Sequence, residues 1–184
     1  MRKYLPLELG AVLGPIVFTV AWFVLGFVSP GYSLWGTRVA PYSAISQPLS
    51  GLGLGPTGPF MNAAFVLTGL LMIEGAFGIF QQQDELSRSA RRLGAVLLVL
   101  PGLGAVIDGF FTFEHFLPHF VGFALALTTM VSFPIVGVML RRTWDWRTVG
   151  TGLVIAGPLT LALAVLYFAT FTPTVAGIQT GVAG

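Results

Sequence analysis

The sequence predicts an all-α integral membrane protein, a single membrane domain over residues 1–184 built as a bundle of five transmembrane helices. Three observations support this prediction. Hydrophobic residues make up 55% of the chain and charged residues only 9%, whereas soluble globular proteins carry about 25% charged residues. Five apolar runs are long enough to cross a bilayer, and the charges lie in short bursts between them. Most of the surface must therefore face lipid.

The five predicted spans cover residues 9–28, 60–80, 93–113, 117–140 and 149–171. Each is close to the ~20 apolar residues that a membrane helix needs. The first run follows a basic N-terminus, as the hydrophobic region of a signal peptide does. It is longer than the hydrophobic region of a typical signal peptide, however, and no convincing cleavage site follows it. We therefore expect it to be a retained span. Residues 29–59 form the one long connection, which is apolar and rich in Gly, Pro and aromatic residues.

The distribution of basic residues predicts the orientation. Eight of the nine cations fall on one side of the predicted spans, namely Arg2, Lys3, Arg88, Arg91, Arg92, Arg141, Arg142 and Arg147. The ninth, Arg38, lies in the loop 29–59 on the other side. Because short cytoplasmic loops carry the excess of Lys and Arg, we expect a cytoplasmic N-terminus and an external C-terminus, with the loop 29–59 outside.

Composition also excludes several kinds of site. The chain has no cysteine, so no disulfide, thiol nucleophile or cysteine-ligated metal is possible. The net charge of +2 is not clustered as a basic stripe, so nucleic acid is not an expected partner. The expected partners are membrane lipids and other membrane-protein subunits.

Two stretches in and after the long loop resemble a known family. Residues 41–53 read PYSAISQPLSGLG and residues 60–69 read FMNAAFVLTG, which is similar to the signature of the domain of unknown function 998 family. The pair formed by Asp108 and His119 resembles that family's element of an acidic residue followed by histidine. The resemblance implies a bacterial or archaeal plasma-membrane protein of about six helices, so a sixth helix is expected beyond this chain. It implies no established activity.

Four ionisable residues lie near the predicted turn between the third and fourth spans: Asp108, Glu114, His115 and His119. Intramembrane ionisable residues cost free energy and are candidate functional groups. Three interpretations stay open. In the first, an Asp–His hydrogen bond only pins the hairpin. In the second, Asp108 and a histidine act as a catalytic acid/base pair. In the third, His115, His119 and Asp108 bind a divalent metal such as zinc or iron. Haem is not expected, since histidines four residues apart cannot ligate it from both faces.

Three residues of the long loop are candidates for binding substrate. Ser46 and Gln47 are predicted either to complete a site at the turn or to cap the loop. Arg38 is predicted to hold a lipid phosphate or to pair with Glu114.

These observations favour, first, an accessory or scaffold subunit of a membrane complex without catalytic activity. The alternative is an enzyme that modifies or hydrolyses lipids in the outer leaflet with the Asp/His groups. A transporter of small solutes is weaker, because Glu74 and Asp108 are the only charges within the predicted spans and no internal repeat is visible.

Overall fold

The computed structural model describes residues 7–170, 172–173 and 179–180. Six helices account for most of this part of the chain: α1 (Gly10–Val28), α2 (Gly58–Gln81), α3 (Arg88–Phe110), α4 (Phe116–Leu127), α5 (Thr129–Leu140) and α6 (Arg147–Ala169). A 3-10 turn, Leu7–Leu9, precedes α1. Because α4 and α5 follow one another along a single span, the described residues contain five segments long and apolar enough to cross a membrane. The predicted all-α membrane bundle is confirmed.

Some sequence features fall on residues that the structure does not describe. Arg2 and Lys3, which support the predicted orientation, lie outside the described residues. So do Phe171 at the end of the predicted fifth span and residues 174–178 and 181–184 of the predicted external tail.

The fourth span, predicted over residues 117–140, consists of two helices, α4 and α5. It divides at Thr128, whose N–H bonds the Leu125 carbonyl three residues back instead of four. The hydroxyls of Thr128 and Thr129 donate to the carbonyls of Leu125 (2.6 Å) and Ala126 (3.0 Å). Threonine side chains compete in this way with the helical backbone ladder. The interruption coincides with this threonine pair and lies two residues before the Met130 carbonyl, which Pro134 leaves without its helical N–H donor.

Neighbouring helices touch backbone to backbone at glycines. A Cβ on Gly102 would lie 2.9 Å from the Gly69 carbonyl, and one on Gly104 would lie 2.7 Å from the Ala126 N. At the α1–α2 contact a Cβ on Gly14 would lie 2.9 Å from the Thr68 carbonyl. Lipid gives no hydrophobic drive for association of helices, so small residues that allow close contact stabilise the bundle.

A polar contact reinforces the packing of α1 on α2. The Thr68 hydroxyl donates to the Gly14 carbonyl at 3.1 Å, and the contact is buried. The residue that follows Gly14 is Pro15, which lies inside α1. Because proline has no backbone N–H, it interrupts the helical hydrogen-bond pattern. The carbonyl that Pro15 frees is that of Ala11, so the threonine adds an interhelical hydrogen bond without replacing the missing helical one.

The loop 29–59 folds onto the end of the bundle. Its strands β1 (Tyr32–Leu34) and β2 (Thr37–Val39) form a hairpin joined by Trp35 and Gly36. Both turn residues have positive φ, +47° and +81°, as the favoured two-residue hairpin turn requires. Two 3-10 turns, Leu49–Gly53 and Gly55–Thr57, then lead into α2.

Past Thr170 the structure describes two short strands. These are β3 (Thr172–Pro173) and β4 (Gln179–Thr180), which pair antiparallel.

The folded loop has a hydrophobic core of its own. Its members come from the loop and from the start of α2: Tyr32, Leu34, Tyr42, Leu52, Leu54 and Met61. Phe18, Trp22 and Leu25 of α1 pack against them. The loop is therefore an ordered cap fixed to α1 and α2. A second core lies at the other end of the bundle and is formed by α2, α3 and α5; its members are Ala76, Ile79, Phe80, Ala95, Leu98, Val136 and Leu140.

The glycine contacts lead to a testable prediction. Gly75→Ala should lower the free energy of unfolding by about 2 kcal/mol, because its Cβ would overlap the Ala11 backbone and overpacking costs ~1–3 kcal/mol. Gly152→Ala on α6 is the matched control, since a Cβ there meets nothing within 4 Å. Both changes raise helix propensity equally. Thermal unfolding in mild detergent measures the difference, and equal stability of the two variants would contradict the packing account.

Candidate functional site

Asp108 and His119 are brought together by the hairpin of α3 and α4. Asp108 lies two residues before the end of α3, and His119 lies in the first turn of α4. Asp108 Oδ1 and His119 Nδ1 are 3.2 Å apart. The two residues are only 7% and 8% exposed, respectively. The predicted proximity of these two groups is thus present in the structure.

The imidazole of His119 makes one hydrogen bond through Nδ1, and the Asp108 carboxyl lies close to the same nitrogen. His119 Nδ1 lies 2.9 Å from the Phe111 carbonyl oxygen, with which it forms a hydrogen bond. Asp108 Oδ1 is almost as close to Nδ1 but lacks hydrogen-bond geometry, and it is buried with no hydrogen-bond partner among the described residues. The tautomer that satisfies Phe111 carries its proton on Nδ1. Nε2 then retains a lone pair.

A glycine makes room for the carboxyl group. A Cβ on Gly122, one turn after His119, would overlap Asp108 Oδ1 and would lie 2.9 Å from the Gly104 carbonyl. The side chain of Asp108 therefore occupies the space that a side chain on Gly122 would fill. The close crossing of α3 and α4 sets the position of the Asp–His pair.

The pair forms part of the wall of an apolar cavity. This cavity has a volume of about 330 Å³ and lies between α6 and the helices α1 to α4. Its lining residues include Asp108 and His119 together with Phe18, Phe65, Phe123, Leu163 and Tyr167. A neighbouring cavity of about 290 Å³ shares His119, Phe123, Tyr167 and Phe168 with it. Small-molecule sites in proteins occupy ~300–1,000 Å³ and combine apolar walls with a few polar groups.

The loop contributes Ser50, not the serine that the sequence suggested. Ser50, in the first 3-10 turn, lines both cavities. Ser46 is exposed, and neither Ser46 nor Gln47 is among the residues lining either cavity. Gln47 is buried and donates from Nε2 to the Pro41 carbonyl at 3.1 Å, so its observed contact is within the loop. Ser50 lies three residues after Gln47, within the stretch 41–53 that resembles the family signature. Its place in that stretch is the sequence feature that could have identified it.

The other predicted site residues lie apart from the pair. Glu114 and His115 are exposed in the turn before α4, and His115 Nδ1 is 3.5 Å from the Thr112 hydroxyl. Arg38 is exposed on β2, and no ion pair with Glu114 is found in the described part of the chain. Glu74 is exposed on the side of α2.

The described residues contain no group of three His, Asp or Glu side chains arranged to hold a metal ion. His119 and Asp108 are close and buried, whereas His115 is exposed in the turn. The metal site formed by His115, His119 and Asp108 stays a prediction.

Aromatic rings connect the loop to the site. Trp35 at the tip of the hairpin lies 6.1 Å from Phe113, and Phe113 lies 5.4 Å from His119, measured between ring centroids.

Deeper in the loop, burial raises the pKa of the Tyr32 hydroxyl to about 12, with the nearby Tyr42 adding to the shift. Its hydroxyl therefore stays protonated at neutral pH.

Helices of this length and apolarity, with an ionisable pair buried among them, define a multi-pass membrane protein. The chain belongs to the family described as "Protein of unknown function (DUF998)", whose model matches residues 12–184. The resemblance inferred from the loop residues is thereby confirmed. No curated protein and no solved structure matches the chain.

Proposed function

We propose that the protein binds the apolar part of a lipid in the cavity beside α6 and acts on the lipid's ester or amide group by acid/base chemistry. The observation that carries this proposal is the buried pair of Asp108 and His119 in the wall of an otherwise apolar cavity. Buried ionisable groups in such a cleft are typical of functional sites. A cavity between membrane helices suits a ligand that enters sideways from the bilayer.

His119 is the proposed general base. Its described polar contacts use Nδ1, so Nε2 is available to take a proton from a water molecule in the cavity. The Phe111 carbonyl holds the ring in the required orientation, and the Asp108 carboxylate, 3.2 Å from Nδ1, stabilises the imidazolium that forms. The activated water attacks the carbonyl carbon of the lipid, and His119 returns the proton to the leaving oxygen or nitrogen. The products are a free acid and an alcohol or amine.

Ser50 and Tyr167 are proposed to orient the polar end of the lipid. Both residues line the two cavities next to His119, and hydroxyl groups can donate to ester or amide oxygens. Leu163, Phe123 and Phe65 would contact the acyl chain.

The two histidines provide a matched test of the lipid proposal. Membranes from cells that produce the wild-type protein or His115→Gln should show the same change in lipid composition by mass spectrometry. His119→Gln should lose that change, because removing a general base lowers turnover by roughly 10²–10⁴-fold; Asp108→Asn should weaken it. Identical lipid profiles for wild type and His119→Gln would contradict the proposal.

We also propose a plasma-membrane location in a bacterium, with the N-terminus in the cytoplasm and the Asp108 end of the bundle outside. The basic residues that flank α3 and α6 at the opposite end support this orientation, since cytoplasmic loops are enriched in Lys and Arg.

The absence of native cysteine makes the orientation directly testable. Ser46→Cys lies in the exposed part of the loop, and Trp144→Cys replaces a residue that is 84% exposed between α5 and α6. A membrane-impermeant maleimide added to intact cells should label Ser46→Cys but not Trp144→Cys until the cells are lysed. The reverse labelling pattern would overturn the proposed orientation.

The accessory-subunit and transporter interpretations stay predictions. The buried pair in the wall of an apolar cavity is the observation that favours a lipid ligand. A transporter is less supported, because Glu74, the other acidic residue within the predicted spans, is exposed on α2 and is not among the residues lining this cavity.

A further inference from the structure

A third cavity, a groove, lies at the opposite end of the bundle, between the end of α2 and the start of α3. It has a volume of about 540 Å³, and its walls include Phe77, Gln81, Arg88, Arg92, Ala95 and Val96. None of these residues lines the cavities at Asp108 and His119. Arg88 and Asp108 are 20 positions apart on α3, or roughly 30 Å at 1.5 Å per residue. This groove is therefore independent of the proposed catalytic site.

The lining of the groove changes along α3 from charged to apolar. Arg88 and Arg92 are four residues apart and share a helix face, which Ala95 and Val96 continue in the next turn. Phe77 of α2, 49% exposed, also lines the groove. The groove thus presents guanidinium groups at the membrane boundary and hydrocarbon towards the membrane interior.

Two of the arginines are available for an anion. Arg91 pairs with Asp84 through a contact of 3.2 Å. Arg88 and Arg92 are exposed, and the described part of the chain provides no acidic partner within ion-pair distance of either one. Arginine binds phosphate through paired N–H donors, and basic pockets between membrane helices bind anionic head groups.

We propose that this groove binds an anionic phospholipid from the leaflet on the arginine-rich side. The phosphate binds Arg88 and Arg92, and an acyl chain lies along Val96 and Phe77. The proposal rests on the order of groups along α3, where charged residues are followed by apolar ones. A phospholipid has the same order, a charged head group followed by an apolar chain. The bound lipid would pack on α2 and α3 at the junction that Phe80 and Gly94 form.

The test measures the binding of phosphatidylglycerol and phosphatidylcholine to the purified full chain by native mass spectrometry in detergent. The wild-type protein should bind phosphatidylglycerol more tightly. The double variant Arg88→Gln/Arg92→Gln should bind it roughly 30-fold more weakly, as expected from losing two basic groups at a membrane surface. The matched control Arg141→Gln/Arg142→Gln removes the same charge at the same end of the bundle, outside the groove, and should bind as the wild type does.

Two results would overturn the proposal. One is equal affinity of the wild-type protein for the two lipids. The other is an equal loss of binding in both double variants, which would indicate a general effect of charge.

If the variant Arg88→Gln/Arg92→Gln fails to fold, the variant Arg88→Lys/Arg92→Lys replaces it. The lysine variant keeps the charge but loses the paired N–H geometry, so it should bind phosphatidylglycerol several-fold more weakly than the wild type. Affinity equal to that of the wild type would then contradict the proposed arginine site.

Discussion

Backbone contact at glycines is the constraint on which the rest of this structure depends. Where α3 crosses α4, Gly104 faces Gly122, and where α2 crosses α3, Gly69 faces Gly102. At these distances no side chain larger than hydrogen fits without moving a helix. Lipid supplies no hydrophobic drive to bring helices together, so van der Waals contact and interhelical hydrogen bonds must stabilise the bundle. The hydrogen bond from the Thr68 hydroxyl to α1 is an interhelical bond of this kind.

The same constraint places the ionisable pair. Because Gly122 has no side chain, the Asp108 carboxyl can lie between α3 and α4 beside His119. Within the described part of the chain, Asp108 Oδ1 is buried without a hydrogen bond, which costs free energy in any apolar surrounding. Groups kept in the membrane at such a cost usually serve a function. In our account the function of Asp108 is to stabilise the imidazolium form of His119 beside the lipid cavity.

The sequence predicts the spans well because hydropathy over about 20 residues reflects the dominant free energy, that of transfer into lipid. It also identifies Asp108 and His119, since ionisable residues are rare in such runs. The sequence does not show which of His115 and His119 is buried next to Asp108. The answer depends on where α4 begins, and because it begins at Phe116, His115 lies exposed in the turn before it. Nor does the sequence distinguish Ser46 from Ser50, because the 3-10 turn that brings Ser50 to the cavity is set by loop packing on α1 and α2. The division of the fourth span likewise coincides with local side-chain hydrogen bonds, which hydropathy does not report.

The most direct test of whether the α3–α4 contact positions the catalytic pair is to determine by NMR which ring nitrogen of His119 carries the proton. The chain has two histidines, so in a ¹⁵N-histidine-labelled His115→Gln protein every imidazole signal comes from His119. The account predicts a neutral ring protonated at Nδ1, held by the Phe111 carbonyl. Adding Gly122→Ala should shift the ring towards the Nε2-protonated form that free imidazole side chains favour. A ring already protonated at Nε2 before that change, or a spectrum that Gly122→Ala leaves unaltered, would contradict the account.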